Sequence, residues 1–154
     1  MASGEKLIAD NRKARHDYEL LDRFEAGLVL TGTEVKSLRQ NGASLQQSYA
    51  EVRGGEAWLV AFHIAPYEQA SPDGGHAVER PRKLLLHRRE LETIDSKLRE
   101  KGLTLVPTRL YFKGGRAKLE VALARGKATI DKRRDLAKRD ADRQIDRALK
   151  AQRR

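Results

Sequence analysis

The four histidines, His16, His63, His76 and His87, are too scattered along the 154-residue chain to form an HExxH pair or any other metal-ligand spacing, and no cysteine is present to supply a thiolate. Ser44, Ser48 and Ser71 lack the GxSxG turn of an activated serine. Among 22 acidic residues no carboxylate pair stands apart as acid and base. Residues 124–129, ARGKAT, approach a phosphate loop but lack Ser or Thr directly after Lys127, and Val121 occupies the place of the first glycine. These residues support neither a catalytic constellation nor a metal or cofactor site, and a protein that is not an enzyme is expected.

Charge is the stronger signal. The chain carries 32 Lys and Arg against 22 Asp and Glu, a net of +10 at neutral pH, and such a field attracts anionic partners and speeds encounter with them. From Arg125 onward twelve Lys or Arg face five Asp, so this segment holds +7 and the preceding 124 residues only +3. Arg12, Lys13 and Arg15 make a smaller basic group ahead of Tyr18, and Lys36 and Arg39 share a helix face. Each fits a solvated surface as well as RNA contact. Glu25 also has two readings: a strand carboxylate facing solvent, or one accepting hydrogen bonds from a guanine edge or ribose hydroxyl.

The elements that must position these groups are mainly strands. Residues 1–10 are small and polar, with Leu7 and Ile8 as their only large apolar anchors, and are expected to fray. Tyr18, Leu20, Leu21 and Phe24 lead to Gly27 and the run Leu28 to Leu30, with Gly27 marking a bulge or bend. Thr33 reads as the N-cap, with the acid Glu34 in the first turn, of a short helix that Asn41 and Gly42 stop. The Gly54–Gly55 and Gly114–Gly115 pairs predict two hairpins, because primed turns need positive φ at both centres. In the second hairpin Leu119, Val121 and Leu123 alternate with Lys118, Glu120 and Ala122, one face buried and one wet. Pro66 to Arg80 reads as a mobile surface loop, Arg82 to His87 as a strand, Arg88 to Lys101 as a helix, and Leu103 to Phe112 as strand on both sides of Pro107. About six short strands with two interposed helices favour a small antiparallel barrel of OB type, with a split sheet carrying helices on one face as the alternative.

Beyond about residue 126, Ala137, Ala141, Ile145, Ala148 and Leu149 fall on one helical stripe, while Lys138, Arg139, Arg143, Arg147 and Lys150 populate the other faces. Ordering some twenty residues costs roughly 20–40 kcal/mol of conformational entropy, and a thin, Ala-rich stripe offers little burial in return. The segment is expected to be disordered when free, either a nonspecific basic tail or one that folds on entering an anionic groove.

Residues 11–18, NRKARHDY, resemble the opening motif of the SmpB family of SsrA-binding proteins from bacterial trans-translation. The resemblance continues through FEAG (Phe24 to Gly27), GTEVKSLR (Gly32 to Arg39), IAPY (Ile64 to Tyr67), RKLLLH (Arg82 to His87), LTLVP (Leu103 to Pro107) and ARGK (Ala124 to Lys127), in order over about residues 10–134. It implies an OB-fold body, residues 11–125, that binds the tRNA-like domain of transfer-messenger RNA (tmRNA) in the cytoplasm, between a flexible stretch at 1–10 and a basic tail at 126–154. The complex would enter ribosomes stalled on truncated messages. There the tail would become helical in the small subunit's empty messenger channel, next to the decoding centre. Carried over by motif, Glu25, Leu85 and His87 would contact the RNA, with Arg12, Lys13, His16, Lys36 and Arg39 as supporting groups. Gly126, Lys127, Asp131, Lys132, Arg133, Lys138, Arg139 and Arg143 would engage the ribosome. Ile130 departs from the family pattern, which favours a residue able to stack. No membrane partner or small-molecule substrate is implied. A ribosomal or nucleoid-type protein with a basic extension is the alternative.

Overall fold

The computed structural model describes residues 5–67, 75–100, 102–126, 138 and 141–151. In chain order the elements are β1 (Glu5–Asp10), α1 (Arg12–Asp17), β2 (Tyr18–Leu28), α2 (Gly32–Asn41), β3 (Tyr49–Arg53), β4 (Glu56–Val60), β5 (Arg82–Leu85), α3 (Arg88–Leu98), β6 (Leu103–Lys113) and β7 (Arg116–Gly126). A final helix, α4, spans residues 141–151. All strand pairings are antiparallel, and they run β6–β3–β4–β5–β2–β7 and back to β6, so six strands close a ring. The mainly β body with short helices follows the sequence expectation, with seven strands.

Strand β6 serves three neighbours because it bends. Its register against β7 shifts between Pro107 and Arg109, where proline has no N–H to give a ladder. Leu105 before the bend pairs with Ala50 of β3, and Arg109 to Lys113 beyond it pair with β1. Glu5–Asp10, expected to fray, is therefore a paired strand whose Ala9 is buried.

Both glycine pairs make the hairpins they predict, with φ of 63° and 75° at Gly54 and Gly55 and 58° and 78° at Gly114 and Gly115. Gly27 makes no bulge. The register of β2 shifts between Leu20 and Arg23 instead, and Gly27 lies beside Leu85, whose Cβ would stand at an ordinary contact distance of 3.4 Å from a Cβ added there.

Inward residues of the strands form the core, including Ala26, Leu28, Leu59, Leu84, Leu105, Leu110, Leu119, Val121 and Leu123. The alternation in β7 holds on this side. On its other side Ala122, expected to be wet, is buried with Ala124 against Ala14 and Val106, because α1 lies over them. This six-residue helix escapes a periodicity search, yet Asn11 marks it. Its Oδ1 accepts the Ala14 N–H at 3.2 Å while its Nδ2 donates to the Pro107 carbonyl at 2.8 Å, which caps the helix and pins it to the bend of β6.

The cap of helix α2 lies two residues before the expected Thr33. Thr31 is the N-cap of a capping box in which its hydroxyl accepts the Glu34 N–H and the Glu34 carboxylate accepts the Thr31 N–H at 2.8 Å. The same carboxylate is fully buried and accepts from Arg80 and, at 2.7 Å, from Arg82 Nε. Arg82 is buried as well and donates to the carbonyls of Phe62, Ala77 and Val78. Burial disfavours the Glu34 charge, but the Thr31 N–H and the two guanidinium groups outweigh it and hold the carboxyl below its ordinary range. Within the expected loop, His76 lies 2.9 Å from the Thr33 hydroxyl and near the Ile64 and Ala65 carbonyls, which ties residues 75–78 to α2.

Helix α4 departs most from the burial argument made on the sequence. Ala141 and Ile145 are buried against Tyr49, Trp58 and Val60, with Ala148 and Leu149 packed beside them. The outer surface of β3–β4 supplies the burial that the stripe lacks in isolation.

Candidate nucleic-acid interface

Because strand side chains alternate, the inward positions of Ala26, Leu28, Leu84, Leu119 and Leu110 turn Glu25, Gly27, Leu85, Lys118, Tyr111 and Lys113 outward. The register brings them together. Gly27 pairs with Leu85 on one side and Lys118 on the other, Lys118 pairs with Tyr111, and Glu25 pairs with Glu120, which faces Arg109. Residues separated by up to 95 positions, Glu25 and Glu120, thus share one outer face across β5, β2, β7 and β6.

Leu85 is 54% exposed, an apolar side chain held in water beside Gly27. Val29, two residues beyond Gly27, is 42% exposed, and its N–H donates to the Lys83 carbonyl. His87, exposed, lies two residues past Leu85 at the N-cap of α3, where its N–H donates to Glu90 at 3.3 Å. The three residues that the family motifs single out, Glu25, Leu85 and His87, therefore line one side of this surface. Its apolar part suits a base or sugar face, and its rim carries the hydrogen-bonding groups.

Glu25 is held in place. The Tyr111 hydroxyl donates to it and Lys113 Nζ lies 3.5 Å away. That hydroxyl, with Lys113 and Lys118, keeps the carboxyl below its ordinary range against the opposing effect of burial. An ionised carboxylate can only accept hydrogen bonds, so Glu25 offers acceptors beside Lys113 and Lys118. Burial and the neighbouring Glu25 push the Tyr111 hydroxyl up, so it stays a donor. Sequence reasoning missed Tyr111, Lys113, Lys118 and Arg109. The outward half of the β6–β7 alternation was their signal.

Outward positions along β7 run Ala124, Ala122, Glu120 and Lys118, so α1, lying on the alanines, borders the same face. It exposes Arg12, Lys13 and His16, with His16 Nδ1 3.1 Å from Asp17 and Arg15 paired to Asp10. Lys36 and Arg39 are exposed on α2, with Lys36 Nζ 5.7 Å from the centre of the Tyr67 ring and the Arg39 guanidinium 4.6 Å from that of Phe112. They sit over rings and are not joined to Glu25 by any contact among the described residues. In the tail, Gly126 ends β7, and Lys138 and Arg143 are exposed. Lys127, Ile130, Asp131, Lys132, Arg133 and Arg139 lie outside the described residues.

Residues 8–151 match the family model described as "SmpB protein". The SsrA-binding protein of Carboxydothermus hydrogenoformans is 55% identical over 147 residues, covering 96% of this chain and 98% of that one. That of Thermobifida fusca is 57% identical over 150 residues, covering 97% and 93%. A solved chain from work described as "tmRNA-SmpB: a journey to the center of the bacterial ribosome" superposes with a TM-score of 0.63 at 50% identity, covering 77% of this chain and 84% of that one.

Proposed function

Since the chain belongs to the SmpB protein family, we propose that it binds the tRNA-like domain of SsrA RNA (tmRNA) and carries it to stalled ribosomes for trans-translation. The observation that carries this reading is identity above one half to SsrA-binding proteins over nearly the whole chain. The outer face of β5, β2, β7 and β6 is the RNA-binding surface in this reading. Glu25 accepts from base or ribose donors, Leu85 packs against a sugar or base, and His87 stacks or donates. Arg12, Lys13, His16, Lys113 and Lys118 meet phosphates at its rim, and Lys36 and Arg39 on α2 add charge for the same RNA. The protein works by shape and charge and catalyses no reaction, and its place of action is the cytoplasm.

The tail supplies the second half. Gly126, Lys127, Asp131, Lys132, Arg133, Lys138, Arg139 and Arg143 engage the decoding centre and the empty messenger channel of the small subunit. The test pairs two measurements on the full chain: affinity for tmRNA against the same RNA lacking its tRNA-like domain, and tag addition on a message without a stop codon. Glu25→Ala, Leu85→Asp and His87→Ala are expected to weaken binding to the intact RNA, and tagging with it. Equal affinity for the two RNAs, or full affinity in all three variants, would overturn the proposal in favour of a general basic RNA-binding protein.

A further inference from the structure

The outer surface of the ring has a second half. Going round from β5 to β4 and β3, the outward residues are Lys83, then Trp58 and Val60, then Tyr49, Glu51 and Arg53, with Lys83 opposite Trp58, Trp58 opposite Glu51 and Val60 opposite Tyr49. A 3.1 Å ion pair between Lys83 and Glu56 separates this half from Leu85. Here α4 lies on the strands. Trp58 is left 3% exposed, and Val60 and Ile145 are fully buried.

Three contacts make the fit specific. Asp146 takes both arms of the Arg53 guanidinium, at 2.9 Å from Nε and 2.7 Å from Nη2, a two-pronged pairing that fixes orientation as well as charge. Leu149 rests on the turn at Gly54, where a Cβ would stand 2.8 Å from its Cδ1, so the hairpin tip lacks a side chain where the helix needs room. Ile145 fills the space between Tyr49 and Trp58. The opposite face of α4 leaves Arg143, Gln144, Arg147 and Lys150 in solvent. An eleven-residue helix is marginal alone, so α4 owes its order to this seat.

We propose that the Tyr49–Trp58–Val60 face is an intramolecular receptor for α4, and that the protein alternates between a closed form with the helix seated and an open form in which it is free to act elsewhere. The second clause rests on the tail's proposed engagement of the ribosome, because a helix whose apolar stripe and Asp146 are held by the body is not available to a distant channel. The seat lies on β3–β4 and the RNA face on β5, β2, β7 and β6, so RNA binding does not require release and ribosome engagement does.

Trp58 is the only tryptophan in the chain and reports on the seat directly. In the full-length protein, Ile145→Asp is expected to raise acrylamide quenching of Trp58 several-fold and shift its emission to the red. Asp146→Arg should do the same, and adding Arg53→Asp to it should restore protection. Retained tmRNA affinity in each variant verifies that the body is folded. Trp58 quenching unchanged in Ile145→Asp and Asp146→Arg would overturn the closed form.

For the alternation, Arg53→Cys with Asp146→Cys can be joined by a short bismaleimide, since the chain has no other thiol. The joined protein should bind tmRNA as the singly capped control does but lose tagging by about tenfold or more, and equal tagging would overturn the alternation. A chain ending at residue 126 that tags normally would instead sink the reading of the tail, while Trp58 quenching in the full-length protein still decides whether α4 is seated.

Discussion

Glu34 and Arg82, 48 positions apart, meet at 2.7 Å with both side chains fully buried. Glu34 also closes the cap of α2 through Thr31, and Arg82 opens the strand that carries Leu85. One carboxylate thus fixes the first turn of a helix and the starting point of β5. The GTEV and RKLLLH motifs therefore owe part of their chemistry to the core and not to a ligand. Removing one partner of a buried pair leaves the other charge uncompensated, so Glu34→Gln should destabilise the body by about 3–5 kcal/mol. Urea unfolding followed by circular dichroism measures this, and a loss under about 1 kcal/mol would show that the Phe62, Ala77 and Val78 carbonyls around Arg82 suffice.

Tyr111→Phe removes the hydroxyl that does most to hold the Glu25 carboxyl low. The Glu25 pKa should move up toward its ordinary value, readable from carboxyl chemical shifts in an NMR titration. With the carboxylate less firmly aimed, affinity for the tRNA-like domain should fall a few-fold, in line with the loss of about 0.5–1.5 kcal/mol from one hydrogen bond. A moved pKa with unmoved affinity would exclude Glu25 from the contact.

Lys113 and Lys118 flank Glu25 and were invisible as a pair in the sequence. If they meet phosphates, Lys113→Ala and Lys118→Ala should each flatten the slope of log affinity against log salt by about 0.7–0.9. A substitution that lowers affinity equally at all salt concentrations would assign that lysine to the support of Glu25 alone.

The seat of α4 should respond to pH. Glu51 is buried beneath the helix beside Asp142, and burial first, then that carboxylate, raise its pKa to about 8, while Lys138 and Arg53 act the other way. Asp95 of α3 and Arg99, its C-cap, line the same cleft, about 560 Å³ in volume. Once α4 leaves, Glu51 returns toward 4.5, so the seated form binds the extra proton. Its contribution to docking is full below pH 4.5 and is lost as pH rises through about 8. Trp58 quenching should therefore increase between pH 6 and 9, and Glu51→Gln should flatten the curve; an identical curve in that variant would assign the response to another group.

The two hairpins were legible because paired glycines with positive φ have one main use between apolar alternations. The barrel followed from them and from the strand count. What stayed hidden depends on distant partners. Helix α1 is too short for periodicity and needs Ala122 and Ala124 beneath it, and β1 is a strand only because β6 bends at Pro107. The stripe of α4 looked thin when weighed alone, since Tyr49, Trp58 and Val60 lie over 80 positions upstream. Of the candidate site, Glu25, Leu85 and His87 were legible through family motifs, whereas their grouping required the Gly27–Leu85 register.

Closure of the ring also bears on how the chain acquires its shape. Strand β2 must wait for β7, with Tyr18 meeting Gly126 across 108 positions, whereas β6 and β7 are joined by a two-residue turn and pair locally. Early structure should thus gather in the two glycine hairpins, and the rate-limiting event should be the capture of β2 between β5 and β7. Pairings of such long sequence separation put folding in the range of milliseconds to seconds. Until that capture Glu25 and Leu85 do not share a face, so the proposed RNA-binding face is among the last parts of the molecule to exist.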